Sequence, residues 1–310
     1  MNIMFMGTPD FAVVSLKSLI DNGYNVSSVV TQPDKPKGRG HKMTHPPVYV
    51  YAAENNINIY QPENLKKENF EEILNNENPD LIVVVAYGKI LPEYVLNFPK
   101  YGCINVHGSL LPKYRGAAPM QWSIIDGEKE TGITTMYMEK GLDTGDMILK
   151  EVVPILDDDN FETLHDKMAI VGGRVLIDTL KLIESGNIPR EKQDDALSSY
   201  AIMIDKNVAR IDWIKDATSI HNLIRGLSPF PKAFSYYMEK QVKIPASKVG
   251  DTTSEQICGR IIDVSPDGIK VACGNNTSLI ITEIQFEGKK SMKVSEYLKG
   301  NSITVGEIFG

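Results

Sequence analysis

The chain has 310 residues, a formal net charge of −7 and 24% charged residues, which is ordinary for a globular protein of one or two domains. Its longest apolar run, residues 81–86, is far shorter than the roughly 18 residues of a membrane span. The first residues lack the charged start, apolar core and cleavage site of a signal peptide. These features predict a cytoplasmic protein, and the negative charge argues against a general nucleic-acid binder.

The charge is unevenly distributed along the chain. Residues 206–310 contain 14 Lys and Arg against 11 Asp and Glu, whereas residues 1–205 contain 19 against 29. We therefore expect any polyanionic partner to contact the C-terminal third or a local basic loop.

The three cysteines, Cys103, Cys258 and Cys273, are widely separated and form no Cys-x-x-Cys or His/Cys cluster. This spacing supports neither a structural zinc site nor a disulfide framework. We interpret them as small, partly buried apolar residues.

The first two-thirds of the chain alternate strand and helix patterns, which is typical of a mostly parallel α/β sheet. Residues 2–6 are a predicted buried strand, followed by Thr8 as a helix N-cap and Pro9 at the first helical position. Apolar spacing continues this helix to residue 20. Further strands are predicted at 26–31, 57–60, 80–85, 102–107 and 132–138, and a long helix at 161–184.

Two segments lack regular patterns. Residues 32–47 form a predicted long loop, and residues 189–206, which are polar and include Pro189, form a predicted linker. The linker divides a domain at 1–188 from a second one at 207–310. In the second domain a helix is predicted at 217–226, and closely spaced short strands indicate a small β-barrel. Those strands are expected at 233–238, 242–246, 259–264, 269–273 and 278–284.

Chemistry is concentrated at the end of the strand at 102–107. Because side chains alternate across a strand, Asn105 and His107 share one face. Ligands of open α/β sheets bind beyond the carboxyl ends of the strands. An amide and an imidazole are therefore expected at a binding site, and Gly108 after them permits close approach of a ligand.

Two more segments complete the candidate site. Residues 109–112, Ser-Leu-Leu-Pro, form a rigid apolar rim, and Asp143 lies in a glycine-bounded loop after another strand. A lone His near Gly is usually structural, and an Asp between glycines usually forms a turn. Together, however, Asn105, His107 and Asp143 suit proton transfer with an oxyanion donor, as in attack of an amine on a carbonyl. No Ser or Cys elbow motif indicates a covalent intermediate.

At these residues the chain resembles the folate-dependent formyltransferases, which are marked by Asn-x-His, Ser-Leu-Leu-Pro and a later Asp-x-Gly loop. Here these motifs occupy residues 105–107, 109–112 and 143–145. The resemblance implies a Rossmann-like catalytic domain, 10-formyltetrahydrofolate as co-substrate and no metal. Further motifs resemble the branch of the family that acts on aminoacyl-tRNA, with an OB-like C-terminal barrel that binds RNA. They lie at residues 7–11, 31–40, 84–88, 115–119, 141–146 and 210–213.

The resemblance also implies residue roles. The amine of the methionine carried by initiator tRNA is expected to attack the formyl carbon. Asn105 would donate to the oxyanion, His107 would shuttle the proton, and Asp143 would position and charge His107. The folate pocket would be lined by Ser109, Leu110, Leu111 and Pro112.

The long loop at 32–47 is basic, and such loops are often functional. By resemblance it enters the acceptor stem of the tRNA, with Arg39 as the main contact, although a solvated loop is the ordinary alternative. Its predicted RNA contacts are Lys35, Lys37, Arg39 and Lys42. In the C-terminal third, Lys206 and Arg210 are the predicted phosphate contacts, and further candidates are Lys289, Lys290 and Lys293. Three aromatic residues are instead expected in the core: Trp213, Phe230 and Phe234.

Three alternatives remain open at this level. A formyltransferase that acts on a sugar nucleotide or a purine precursor would keep the chemistry, but it needs neither the basic loop nor the barrel. A nicotinamide dehydrogenase is disfavoured because residues 7–11 lack Gly-x-Gly-x-x-Gly. A non-catalytic RNA-binding protein would leave the Asn105, His107 and Asp143 set unexplained.

Overall fold

The computed structural model of the protein describes residues 1–37 and 42–310. The chain divides into two compact units. The first unit comprises Met1–Gly116, Thr131–Pro154 and His165–Tyr200, and the second comprises Ala117–Glu130, Ile155–Leu164 and Ala201–Gly310. Within the described ranges, no helix has the length and apolar character needed to cross a membrane.

The secondary structure alternates between strands and helices up to residue 185 and is mostly strands beyond residue 230. The strands are β1 Asn2–Gly7, β2 Asn25–Val30, β3 Lys35–Lys37, β4 Lys42–Thr44, β5 Asn58–Tyr60, β6 Leu81–Val85, β7 Cys103–His107, β8 Arg115–Gly116, β9 Glu130–Tyr137, β10 Met147–Pro154, β11 Tyr200–Ala201, β12 Ala233–Tyr237, β13 Lys240–Val249, β14 Ile261–Ser265, β15 Gly268–Cys273, β16 Thr277–Phe286 and β17 Met292–Lys293. The helices are α1 Asp10–Asp21, α2 Pro47–Glu54, α3 Lys67–Glu77, α4 Glu93–Leu96, α5 Pro119–Ile125, α6 Phe161–Ser185, α7 Lys206–Ala209, α8 Ala217–Gly226 and α9 Val294–Tyr297, with short 3₁₀ turns at Asp195–Leu197 and Gly274–Asn276.

The first unit is built on a seven-stranded sheet in the order β10-β9-β7-β6-β1-β2-β5. Strands β5, β2, β1, β6 and β7 run parallel, and β9 pairs with β7 in the antiparallel direction. All five residues of β6 are buried and apolar, which is typical of a strand covered on both faces. The prediction of a Rossmann-like, mostly parallel sheet is confirmed.

Gly7, the last residue of β1, is closely surrounded by residues of β1, α1 and β6. A Cβ added at Gly7 would lie 2.7 Å from the Phe5 ring and 2.8 Å from the Ala12 Cβ, so only glycine allows α1 to follow β1 so closely. The prediction that Thr8 caps α1 is wrong. Pro9 occupies the N-cap position, and the Thr8 hydroxyl instead donates to the Tyr87 carbonyl oxygen at 3.0 Å.

Residues 32–47 were predicted to form a long loop. The prediction is wrong for part of this segment, because β3 and β4 form an antiparallel pair within it. The base of this hairpin is held by polar contacts. The His45 Nδ1 atom lies 2.8 Å from an Asp34 carboxylate oxygen, and the Gln61 amide donates to the other oxygen at 2.8 Å. These hydrogen bonds, chiefly the one from Gln61, hold the pKa of Asp34 below its usual range.

The second unit contains an antiparallel sheet in the order β12-β13-β16-β15-β14, with β17 paired to β16. The five strands predicted beyond residue 230 and the helix at 217–226 are all present. Isolated bridges join Phe309 to Tyr237 at the end of β12, and Ile308 to Arg260 before β14. The last residues therefore pair with both ends of the strand order.

Two of the three predicted core aromatics are buried in the second unit. Trp213 is 5% exposed and its indole N–H donates to Ser235 Oγ at 2.9 Å, while Phe234 is 8% exposed. The prediction for Phe230 is wrong, because its side chain is 76% exposed. Phe230 lies between Pro229 and Pro231 in the connection from α8 to β12, outside any strand that would direct it inward.

Candidate active site

Strand β7 delivers Asn105 and His107 to the carboxyl edge of the sheet in the first unit. It pairs with β6 on one side and with β9 on the other, so its position is fixed by hydrogen bonds along both edges. His107 is 5% exposed, whereas Asn105 is only partly buried. The imidazole is thus enclosed by protein, and the amide keeps some accessible surface.

The His107 ring lies between a backbone carbonyl and a carboxylate. Its Nε2 atom is 3.0 Å from the Tyr114 carbonyl oxygen, and its Nδ1 atom is 3.7 Å from Asp143 Oδ2. Because a carbonyl oxygen only accepts hydrogen bonds, the Nε2 atom must carry a proton. A second proton on Nδ1 would face the carboxylate, so both nitrogens of an imidazolium would have an oxygen nearby.

Asp143 is the centre of the cluster. Its Oδ2 atom accepts the Gly116 backbone N–H at 2.9 Å, and its Oδ1 atom accepts an N–H of the Asn105 amide at 3.4 Å. The carboxylate therefore orients Asn105 with its NH₂ group toward Asp143. That amide carries a second N–H, which can donate to a bound substrate. The structure thus brings Asn105, His107 and Asp143 together, as the sequence predicted.

The backbone of the Asp143 loop is unusual. Asp143 has a φ of 52°, in the left-handed region that few non-glycine residues adopt. Two residues later, a Cβ added at Gly145 would lie 1.9 Å from the Tyr137 carbonyl oxygen. The loop therefore fits closely against the end of β9, and its geometry depends on glycine at position 145.

The segment at 109–112 begins two residues after His107 and is held by Thr134. The Thr134 hydroxyl donates to the Ser109 carbonyl oxygen at 2.7 Å and accepts the Leu111 N–H at 3.2 Å. Ser109 and Leu111 are buried, whereas Leu110 and Pro112 are partly exposed. Of the four residues predicted to line the folate pocket, only these last two present appreciable surface.

Gln193, which lies in the segment predicted as a linker, contacts the Asp143 loop. Its amide N–H groups donate to the carbonyl oxygens of Asp143 and Gly145, both at 2.8 Å. Its Oε1 atom accepts the Arg115 Nε–H at 3.0 Å. Gln193 is 50 positions from Asp143 in the sequence, and no local motif indicates this contact.

Cys103 in the first unit and Cys273 in the second unit are both buried free cysteines. Burial raises the pKa of the Cys103 thiol to about 12, and that of Cys273 also to about 12, so neither is a thiolate at neutral pH. Among residues 1–37 and 42–310, His, Cys, Asp and Glu side chains form no group of three that could hold a metal ion.

The residues predicted to contact RNA fall in different parts of the chain. Lys35 is exposed on β3, Lys37 and Lys42 belong to the β3–β4 hairpin, and Arg39 lies outside the described residues. In the second unit, exposed Lys206 begins α7, and the exposed Arg210 guanidinium lies 5.7 Å from the centre of the Tyr236 ring. The candidate contacts Lys289, Lys290 and Lys293 are exposed.

Comparison with known protein families gives two matches that together span most of the chain. The formyl transferase family matches residues 1–180, and the C-terminal domain of formyl transferases matches residues 203–302. The first of these regions contains Asn105, His107 and Asp143.

Individual proteins are similar over nearly the whole length. A methionyl-tRNA formyltransferase of Clostridium novyi is 54% identical over 99% of both chains. The fold is similar to that of WlaRD, a sugar 3N-formyl transferase crystallised in the presence of dTDP and 5-N-formyl-THF, with a TM-score of 0.67 and 21% identity over 94% of this chain and 99% of that one. It is also similar to HypX of Aquifex aeolicus in complex with tetrahydrofolic acid, with a TM-score of 0.63 and 14% identity, where 96% of this chain spans 46% of the longer protein.

Proposed function

The chain belongs to the formyl transferase family, and we propose that it transfers the formyl group of 10-formyltetrahydrofolate to the amino group of methionyl-tRNA. The product is N-formylmethionyl-tRNA, which serves translation initiation. The observation that carries this proposal is the 54% identity, over 99% of both chains, to the methionyl-tRNA formyltransferase of Clostridium novyi. Methionyl-tRNA and folate are both used in the cytoplasm, where we expect the protein to act.

The reaction divides among three side chains. The methionine amine attacks the formyl carbon, and an N–H of Asn105 donates to the oxyanion that forms. The bond from the formyl carbon to folate N10 then breaks, and the proton lost by the amine is passed to N10 through His107. Asp143, 3.7 Å from His107 Nδ1, stabilises the charged ring.

The exposure of the loop at 109–112 suggests different roles for its four residues. Leu110 and Pro112, which keep exposed surface, contact the folate. Ser109 and Leu111 are buried and hold the loop through Thr134, so they act on the folate only indirectly. Formyl transfer by this set of groups needs no metal ion, because the charge on the oxyanion is met by hydrogen-bond donors.

Contacts to the tRNA are assigned to basic side chains of both units. In the first unit these are Lys35, Lys37, Arg39 and Lys42 of the hairpin segment, and in the second unit they are Lys206 and Arg210. Such contacts go to phosphates and position the RNA, so its affinity should fall steeply with salt. We further propose domain limits of 1–188 and 207–310, with 189–206 between them. The bridges of Ile308 and Phe309 support an OB-like barrel in the second domain.

A formyl-transfer assay tests the proposal. Purified protein is given labelled 10-formyltetrahydrofolate with methionyl initiator tRNA and, in parallel, with methionyl elongator tRNA and with an amino-sugar nucleotide. Label on the initiator-bound methionine alone is the expected result. Label on the sugar nucleotide alone would overturn the substrate, and no transfer to any acceptor would overturn the activity.

A further inference from the structure

Hydrogen bonds and one peptide bond connect Asp143, Gly116, Arg115 and Gln193 of the first unit into a closed ring. The Asp143 carboxylate accepts the Gly116 N–H, and Gly116 is joined by a peptide bond to Arg115. The Arg115 side chain donates to Gln193, and Gln193 donates back to the Asp143 carbonyl oxygen. The ring therefore holds Asp143 at both its side chain and its backbone.

Arg115, one member of the ring, is buried and makes further hydrogen bonds. This residue is only 2% exposed, and its Nη2 atom donates to Asp195 Oδ1 at 2.8 Å. Its backbone N–H donates to the Ser199 carbonyl oxygen at 2.8 Å. The Arg115 side chain is therefore held in one position, because moving it would leave its buried N–H donors without hydrogen-bond acceptors.

The chemistry of the ring requires an amide at position 193. Two carbonyl oxygens, of Asp143 and Gly145, need donors, while the Arg115 guanidinium needs an acceptor. Only Asn and Gln side chains supply two N–H donors and a carbonyl acceptor from one planar group. A glutamate of the same size would keep the acceptor and turn an oxygen toward both carbonyls.

We propose that Gln193 is a positioning residue that sets the distance between the Asp143 carboxylate and His107, acting through the Asp143 loop. This inference deepens the proposed function and rests on it. Asp143 has a left-handed backbone conformation, and Gly145 packs closely against the Tyr137 carbonyl oxygen. A loop with this unfavourable backbone geometry needs hydrogen bonds from other segments to keep its conformation. Gln193 provides that support without contact to the reacting atoms.

The test compares Gln193→Glu with Gln193→Met, which removes the acceptor as well as the donors at similar size. We expect kcat to fall about 10- to 100-fold in both variants with little change in KM, since misplacement by about 1 Å can cost about 100-fold. Gln256→Glu is the matched control, because it makes the same change at an exposed glutamine of the second unit, whose amide donates to Ser254 Oγ at 3.5 Å. It should retain wild-type kcat.

Two further measurements separate positioning from general stability. The first is a double-mutant cycle with Asp143→Asn, in which Gln193→Glu should cause little additional loss because both changes act on one group. The second is the NMR resonance of the Gly116 amide proton, which should shift in both Gln193 variants because the hydrogen bond to Asp143 changes. This resonance reports the geometry without any formyl transfer.

The outcomes are distinct. Unchanged kcat with an unmoved Gly116 resonance, or a loss from Gln193→Glu that is equally large in the Asp143→Asn background, would overturn the positioning role. If wild-type protein transfers no formyl group to methionyl-tRNA, the proposed function fails. The Gly116 resonance then still decides whether Gln193 controls the Asp143 loop.

Discussion

Replacement of Asp143 by Asn tests how the three central side chains are organised. The substitution keeps the shape of the side chain but turns one acceptor oxygen into a donor NH₂ group. In the native protein both carboxylate oxygens accept hydrogen bonds, from the Gly116 N–H and from the Asn105 amide. Whichever way the new amide turns, its NH₂ group meets one of these donors.

The cost follows from the contacts that are lost. A hydrogen bond to a charged group contributes about 1.5–3 kcal/mol, which corresponds to about 10- to 150-fold in rate if the bond supports the transition state. The Asn105 amide can escape the conflict only by rotating, which turns its oxygen toward position 143 and redirects its donors. We therefore expect kcat to fall at least about 100-fold, since oxyanion stabilisation is affected as well.

The assay is steady-state formyl transfer to methionyl initiator tRNA, with separate KM values for the RNA and the folate. Asp178→Asn is the matched control, because it makes the same change at an exposed carboxylate of α6, which lies 2.9 Å from the exposed Lys181. The kcat of this control variant should be close to that of the wild type. A folded Asp143→Asn protein with wild-type kcat would refute the assignment of Asp143.

Three other outcomes are expected. Gly145→Ala should lower kcat about 100-fold, because its Cβ would lie 1.9 Å from the Tyr137 carbonyl oxygen and the loop must move by about 1 Å; Gly300→Ala, which has open space around it, is the control, and equal kcat values would contradict the reasoning. Asp216→Ala should lower the free energy of unfolding by about 1 kcal/mol in urea titrations, because the carboxylate caps α8. The pKa of Asp216 is held below its ordinary 3.8, chiefly by the hydrogen bond from the Ser219 backbone N–H. The stabilisation is therefore present at neutral pH and is lost as the pH falls below about 4. If the variant and the wild type still differed in free energy of unfolding at pH 2, this reasoning would be contradicted. Tyr87→Phe should raise the free energy of unfolding by about 1 kcal/mol, because the buried Tyr87 hydroxyl has no hydrogen-bond partner within residues 1–37 and 42–310; a destabilised variant would show that the hydroxyl is satisfied in solution.

The first unit could be predicted from sequence because its signals are local. Buried strands such as β6 are continuous apolar runs, and the alternation of side chains along β7 was enough to place Asn105 beside His107. Asp143 could be added because it follows a strand of the same sheet. In each case the evidence lies within a few residues of the element concerned.

The features that were missed depend on contacts between distant residues. Thr8 is a residue type that often caps helices, but α1 begins at Asp10 with Pro9 at the N-cap, and the Thr8 hydroxyl donates to the Tyr87 carbonyl oxygen, 79 positions away. Phe230 is apolar, but the connection that carries it has no strand geometry to direct it into the core. Gln193 lies in a polar stretch that resembles a linker, and only the folded chain places it against Asp143.

The ring around Asp143 also limits how proteins of this kind can be recombined. A fragment that ends at residue 188 would contain Asn105, His107 and Asp143 and every strand of the seven-stranded sheet. It would lack Gln193 and the rest of the segment that pairs with Arg115. If a chimaera takes residues 1–188 from one relative and the remainder from another, the residue at position 193 should come from the first relative. The reason is that this residue contacts Asp143 and Arg115, although it lies beyond the strands that carry the catalytic side chains.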